Sequence, residues 1–267
     1  MLERRKFDLP EIDKMVERQM RNWELARSQR LNVPASRRAD VADFIAISRE
    51  VGAGASEIAS LLGERLNWPK FDKEMLRAMT GQDTTRHRVY ESMDERDLEW
   101  WEEVCRSILE PDFVRNDYFR RLVKTTLSLA RQGSAVFLGR GIDCMLPRDL
   151  GFRVRIVAPF DMRVERFAKR HNMSIEEARE TVPEIDRERA EFVENHFHAR
   201  VDDATRCDMT LSTEHFSPAQ AADAIMLVRD VMKERPQSAG ESKPAQTASK
   251  SVRVRASKVP MGGRVQR

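Results

Sequence analysis

Eight residues, Arg49, Glu50, Val51, Gly52, Ala53, Gly54, Ala55 and Ser56, stand between two apolar patterns. Before them, Phe44-Ile45-Ala46-Ile47 reads as a buried strand. After them, Ile58, Ala59, Leu61, Leu62 and Leu66 recur at helical spacing. Strand, glycine turn and helix is the layout of a phosphate-binding loop. Backbone amides at the helix N-terminus point at the anion, and the helix dipole favours its negative charge. In the frame G-x-x-x-x-G-K-[ST], Gly54 and Ser56 hold their places. Arg49 stands where the first glycine belongs, and Ala55 replaces the lysine. A plain turn before a core helix is the competing reading of this stretch alone.

Phosphoryl transfer needs in-line positioning and several positive charges around the migrating group. A site for it calls for a phosphate cradle, fixed arginines at other strand ends, and an arginine-rich cover that excludes water. Arg140 lies between Gly139 and Gly141 just after the apolar run Ala135–Leu138. It can grip a phosphate with two parallel hydrogen bonds; the alternative is a surface arginine in a tight turn. Asp143 can accept hydrogen bonds from a base or sugar, or simply cap a helix. Asp72 and Lys73 would line the acceptor side. Arg163, Arg166, Arg170, Arg179, Arg187 and Arg189 would supply the cover, although each taken singly reads as a solvated helix charge. The histidines form no HxxxH or HExxH pattern, which argues against a metal site built on them. No G-x-S-x-G elbow supports a serine hydrolase.

These groups need elements to carry them. Residues 10–30 are helical in pattern, with Ile12, Met15, Val16, Gln19, Trp23 and Ala26 roughly on one face. That face packs on its own domain or serves a dimer. Residues 32–40 form a linker. Phe71–Leu76 reads as the start of a helix that Asp72 can cap. Residues 84–110 are charged and helical, with a Trp100-Trp101 pair that serves as core or, less readily, as a base-stacking surface. A helix runs from Asn116 or Asp117 to Gly133, and Ala135–Leu138 is the second buried strand. Phe152–Val157 is the third, its alternating arginines suggesting one less buried face. Ser174 and Ser217 open capping boxes, and Pro183 is expected to interrupt the helix that Ser174 begins. Asp208–Ser212 is a short strand before the terminal helix. Alternating strands and helices imply an α/β fold, a mostly parallel sheet with helices on both faces. Ligands then sit at the carboxyl ends of the strands.

Composition narrows the classes. Hydrophobic residues make up 40% of the 267, enough for one core, and charged residues 34%. The formal net charge is +3, yet residues 236–267 alone carry +6, which leaves −3 for the rest. The basic character thus belongs to a polar tail read as disordered, and it gives no support to a folded nucleic-acid-binding face. Cys105, Cys144 and Cys207 are far apart, without a CxxC pair, and read as structural thiols of a reducing cytoplasm. No apolar run approaches the roughly 20 residues of a membrane helix, and no signal peptide follows the charged start.

The order of these pieces resembles the cytidylate kinase-like family of P-loop nucleotide kinases. Ile47-Ser48-Arg49-Glu50-Val51-Gly52-Ala53-Gly54-Ala55-Ser56 is similar to that family's first strand, loop and helix. Phe71-Asp72-Lys73-Glu74, Leu138-Gly139-Arg140-Gly141-Ile142-Asp143, Asp186-Arg187-Glu188-Arg189 and Asp208-Met209-Thr210-Leu211-Ser212-Thr213 resemble its later motifs. Gly141 stands where cytidylate kinases carry an aspartate. The likeness covers about residues 43–232, within a domain bounded at 41–235, after an extension at 1–40 and before the tail. It implies a P-loop three-layer α/β/α fold with a helical NMP-binding insert and an arginine-rich lid. It also implies ATP as donor, Mg²⁺ as cofactor and CMP or dCMP as acceptor. By position, Gly52, Ala53, Gly54, Ala55 and Ser56 would cradle the donor phosphates, with Ser56 also a magnesium ligand. Arg140 would hold the acceptor phosphate, beside Asp72, Lys73 and Asp143. Arg187 and Arg189 would close over the transferring group. Arg49 is expected to replace the missing lysine charge from the other end of the loop. Two readings follow: an active nucleoside monophosphate kinase, or a nucleotide-binding regulator on the same fold whose tail and N-terminal helix serve partners.

Overall fold

The computed structural model describes residues 14, 16–21, 25, 43–81, 117–139, 141–146, 148 and 150–234. Five strands form one sheet: β1 (Phe44–Arg49), β2 (Lys70–Phe71), β3 (Ala135–Leu138), β4 (Phe152–Val157) and β5 (Met209–Ser212). Their order is β2-β3-β1-β4-β5, and every pairing is parallel. β1 lies at the centre, with Ile47 beside Leu138 on one flank and Val154 on the other. A strand covered on both faces must be apolar throughout, which is why Phe44-Ile45-Ala46-Ile47 does not alternate.

The helices are α1 (Ala55–Leu66), α2 (Lys73–Gly81), α3 (Asp117–Gln132), α4 (Ile142–Met145), α5 (Phe160–His171), α6 (Ile175–Phe197) and α7 (Pro218–Glu234). On one face of the sheet, Ile58 and Leu62 of α1 and Ala221 and Ile225 of α7 cover Ile45, Ile47 and Val154. On the other, Met75 and Leu76 of α2, Leu127 of α3 and Met145 of α4 pack with Phe44, Ala46 and Phe137. Val16 and Met20 belong to this second cluster, and the Gln19 side chain accepts a hydrogen bond from the Lys70 amide at 2.9 Å. Val16, Gln19 and Met20 are thus packed against the sheet and its helices. A third, smaller cluster joins α5 to α6 through Val164, Ala168, Ala178 and Val182, and it takes in Val51 from the glycine loop.

Both capping boxes form, Ser174 with Glu177 and Ser217 with Gln220. Three expectations need correction. Phe71 belongs to a two-residue strand, β2, whose pairing with β3 outweighs any helical start; α2 begins only at Lys73. Pro183 does not interrupt α6, which continues for 23 residues. The proline removes one amide, but Pro183 and Arg179 are both exposed, so water can take the bond left at the Arg179 carbonyl. The arginine face of β4 is buried, Arg153 being 1% exposed. Its guanidinium donates to the carbonyls of Asp143 (3.3 Å), Leu146 (2.9 Å), Arg148 (3.3 Å) and Leu150 (2.7 Å), so backbone oxygens replace water around the charge. The linker at 32–40, the helical stretch at 84–110 with its tryptophans, and the tail at 236–267 lie outside the described residues. Among the described residues, no helix is long and apolar enough to cross a membrane.

Candidate active site

The chain leaves β1 for β2 and β3 on one flank, then crosses to β4 and β5 on the other. The carboxyl end of β1 is thus the topological switch point, where parallel sheets of this kind place ligands. The glycine loop begins there. Gly52 and Gly54 have φ of +80° and +81°, conformations that side chains resist. Between them they turn the chain into α1, with Gly54 as its cap. The amides of Gly54, Ala55 and Ser56 have no acceptor among the described residues. They are the unpaired donors of a helix start, aimed where the dipole is positive. A Cβ on Gly54 would meet nothing nearer than Arg166 Nη1 at 3.9 Å, so the approach to these amides is open. Gly52 differs, since a Cβ there would lie 2.3 Å from the Arg163 carbonyl oxygen. The loop rests directly on the first turn of α5.

Charged side chains bolt the loop in place. Glu50 accepts a hydrogen bond from the Ala158 amide at 3.3 Å and lies 3.3 Å from Arg163 Nε and 3.9 Å from Arg155 Nη2. Arg163 Nη1 donates to Asp186 Oδ2 at 2.5 Å and to the Val51 carbonyl at 3.3 Å. The Val51 amide donates to Asp186 Oδ1 at 2.8 Å. A carboxylate of α6 therefore occupies the outer amide of the loop and leaves the inner three open. Thr213, after β5, donates to the Ala53 carbonyl at 3.0 Å and accepts from Arg166 Nη1 at 2.9 Å.

The expected cover falls into two ranks. Arg163, Arg166 and Arg189 are fastened near the loop, Arg189 Nη1 donating to the Arg49 carbonyl at 3.4 Å. Arg187 and Arg179 stand at the rim, exposed, Arg187 at 3.8 Å from Glu191 and Arg179 at 2.7 Å from Asp161. The Arg49 side chain turns toward the end of β3, where its guanidinium lies against Gly139. Ser56 offers a hydroxyl with no partner among the described residues. Among those residues no group of three His, Cys, Asp or Glu side chains could hold a metal ion. The residues present thus fit a cation whose other ligands are phosphate oxygens, with Ser56 as the protein's contribution.

At the end of β2, Asp72 Oδ1 accepts from the Met75 amide at 3.0 Å and caps α2, while Oδ2 lies 3.6 Å from Lys70 Nζ. Lys73 opens the same helix. Asp143, in α4, lies 3.5 Å from Arg206 Nη2, which also donates to Cys144 Sγ at 2.6 Å. Burial, with the neighbouring Asp143 charge adding to it, pushes the Cys144 thiol up to about 12. Burial raises Cys207 as well. Both thiols are protonated at neutral pH and act as packing groups. Arg140 and Cys105 lie outside the described residues.

Motif spacing alone does not reveal Glu50, Arg155, Thr213 and Arg206, or the anchoring role of Asp186. The alternating arginines of β4 were the available signal for Arg155. Glu50 and Thr213 lie inside the quoted motifs but carry no motif role of their own.

Comparison with known proteins agrees with this geometry. Residues 44–215, well over half of the chain, match the cytidylate kinase-like family. The chain belongs to that family. Among solved structures, an uncharacterized protein from Eubacterium ventriosum aligns at 21% identity and a TM-score of 0.57, covering 71% of this chain and 98% of its own. Shikimate kinase from Aquifex aeolicus aligns at 17% identity and a TM-score of 0.36, covering 72% and 99%. Dephospho-CoA kinase from Campylobacter jejuni aligns at 12% identity and a TM-score of 0.33, covering 71% and 98%. No curated protein matches the sequence. This member of the cytidylate kinase-like family has an α/β fold, with its glycine loop at the switch point of a parallel sheet.

Proposed function

We propose that the protein transfers the γ-phosphoryl group of ATP to a nucleoside monophosphate, CMP or dCMP. The observation that carries this reading is the set of open amides at Gly54, Ala55 and Ser56, with Arg166 of α5 and Arg189 of α6 fastened beside the loop. The transfer breaks the bond between the γ-phosphorus and its bridging oxygen and forms one to an acceptor phosphate oxygen, giving ADP and a nucleoside diphosphate. The three amides hold the donor phosphates, and Arg166 and Arg189 add charge beside them. Ser56 would be the protein ligand of a Mg²⁺ ion, which would supply charge neutralisation at the phosphate oxygens. Arg140, Lys73 and Asp143 serve the acceptor; Asp72 holds α2 in position through its cap. Arg187, exposed and 3.8 Å from Glu191, would close over the transferring group.

A second reading is favoured by one observation. Ala55 removes the lysine, and loss of such a preorganised charge costs on the order of 100-fold in rate. A nucleotide-binding regulator would tolerate that loss. A coupled ADP-release assay with CMP, dCMP, UMP and AMP separates the two. Acceptor-dependent release supports the kinase. Release with none of them, while ATP still raises the melting temperature, supports the regulator.

A further inference from the structure

Ala55 leaves the loop without its own cation. Its methyl group is buried in the cluster beneath α1, so position 55 offers the site only a backbone amide. Arg49, expected to supply the missing charge, has its guanidinium against Gly139 at the end of β3. A different arginine stands at the loop. Arg166, on the second turn of α5, is the nearest group to a Cβ built on Gly54, its Nη1 3.9 Å away. One residue holds it there. Nη1 donates to the Thr213 hydroxyl at 2.9 Å, and Nη2 donates to the Thr213 carbonyl at 3.1 Å. The same hydroxyl donates to the Ala53 carbonyl at 3.0 Å, and the Thr213 amide donates to the Val157 carbonyl at 2.9 Å. Thr213 is 3% exposed. A buried hydroxyl therefore links the guanidinium to the Ala53–Gly54 peptide, which carries the first of the open amides.

Arg166 also differs from its neighbours in charge. Arg163 is paired with Glu50 and Asp186, Arg155 lies 3.9 Å from Glu50, and Arg189 lies 3.9 Å from Asp186. Arg166 has only the two neutral oxygens of Thr213, and no carboxylate lies within ion-pair distance of it among the described residues. An unneutralised guanidinium beside the positive end of α1 is unfavourable until an anion arrives. We infer that Arg166 gives the donor phosphate chain the charge that a loop lysine would bring, and that Thr213 is the positioning residue that holds it there. A lysine meets phosphate as a point charge on a flexible stem. A guanidinium fixed at two points keeps its remaining N–H groups in set directions, and it can grip phosphate oxygens through them.

This inference deepens the kinase reading and rests on it for the donor, so its test reads binding and not turnover. Calorimetry would measure ATP and inorganic tripolyphosphate, the phosphate chain without base or sugar. The proteins are the full-length wild type, Arg166→Ala, Arg166→Lys, Thr213→Val and the Arg166→Ala/Thr213→Val double variant. Arg166→Ala should weaken ATP and tripolyphosphate alike by roughly 10- to 100-fold, the range for lost charge-assisted hydrogen bonds. Arg166→Lys keeps the charge and should recover part of that loss for both. Thr213→Val should weaken both by about 3- to 10-fold in the wild-type background and by less than about 2-fold in the Arg166→Ala background. The bond to Ala53 is lost in both backgrounds, so the difference between them isolates the hold on Arg166. Melting temperatures confirm that all five proteins fold. If Arg166→Ala weakens ATP but leaves tripolyphosphate unchanged, the guanidinium serves the base and the inference is overturned. Unchanged ATP affinity, an Arg166→Lys protein no better than Arg166→Ala, equal Thr213→Val penalties in both backgrounds, or a wild type that does not bind tripolyphosphate would overturn it as well. The expected binding losses without phosphoryl transfer to any acceptor would overturn the kinase reading alone.

Discussion

Arginine–carboxylate clusters stand at both ends of the sheet, and they do different work. At the amino end, Asp43 precedes β1 and pairs with Arg229 and Lys233 of α7. Arg229 lies 4.8 Å over the Trp68 ring, and its Nε is buried without an acceptor among the described residues. At the carboxyl end, Glu50, Arg163 and Asp186 tie the loop to α5 and α6. The amino-end cluster closes on itself and fastens the last helix to the first strand. The carboxyl-end cluster surrounds amides that it does not fill. Ion pairs alone therefore do not mark a site; open donors within a ring of charge do.

This contrast can be broken by mutation. Arg229→Ala should have the largest effect on stability, about 3 kcal/mol, because it leaves Asp43 half-compensated and uncovers Trp68. Urea unfolding measures it, and KM for both nucleotides should stay at the wild-type value. A changed KM would mean that the amino-end cluster reaches the site. Asp186→Asn should cost less, about 2 kcal/mol, because the amide oxygen can still accept from the Val51 amide while the Arg163 pair is lost. Unlike Arg229→Ala, it should also raise the KM for ATP several-fold, by loosening the loop against α6. A stability loss with no kinetic change would reduce the carboxyl-end bolt to the same structural role as the clamp.

The smallest effect concerns Cys144. With its thiol held up at about 12, it should resist iodoacetamide at pH 8 in the folded protein and react in denaturant. Mass spectrometry of the alkylated peptide reads this directly. The sign for stability follows from the same shift. The raised thiol contributes fully below the ordinary value of 9.0 and loses that contribution as pH rises from there toward about 12. Rapid labelling at pH 8 would mean that the face around α4 opens.

Much of the fold was legible because its signals are local. The unbroken apolar run of β1, the capping serines at 174 and 217, and the glycine at 54 each act over a few residues. Less visible was what depends on distant partners. β2 is two residues long and exists because β3 lies beside it. Arg153 looks like a surface charge until α4 presents its carbonyls. Pro183 breaks a helix in propensity terms but not where water can replace the missing bond. In the site, the glycine loop was readable from spacing, whereas Glu50 and Asp186 needed the third dimension. The direction of the Arg49 side chain was likewise invisible, since spacing places a residue without saying which strand end it reaches.

On the proposed reading, phosphate transfer occurs over the open amides of the loop. The most direct measurement follows the label from γ-labelled ATP incubated with Mg²⁺ and each of CMP, dCMP, UMP and AMP. Label is expected in a nucleoside diphosphate, CDP or dCDP foremost. Label that stays in ATP or appears only as inorganic phosphate with all four acceptors would contradict it.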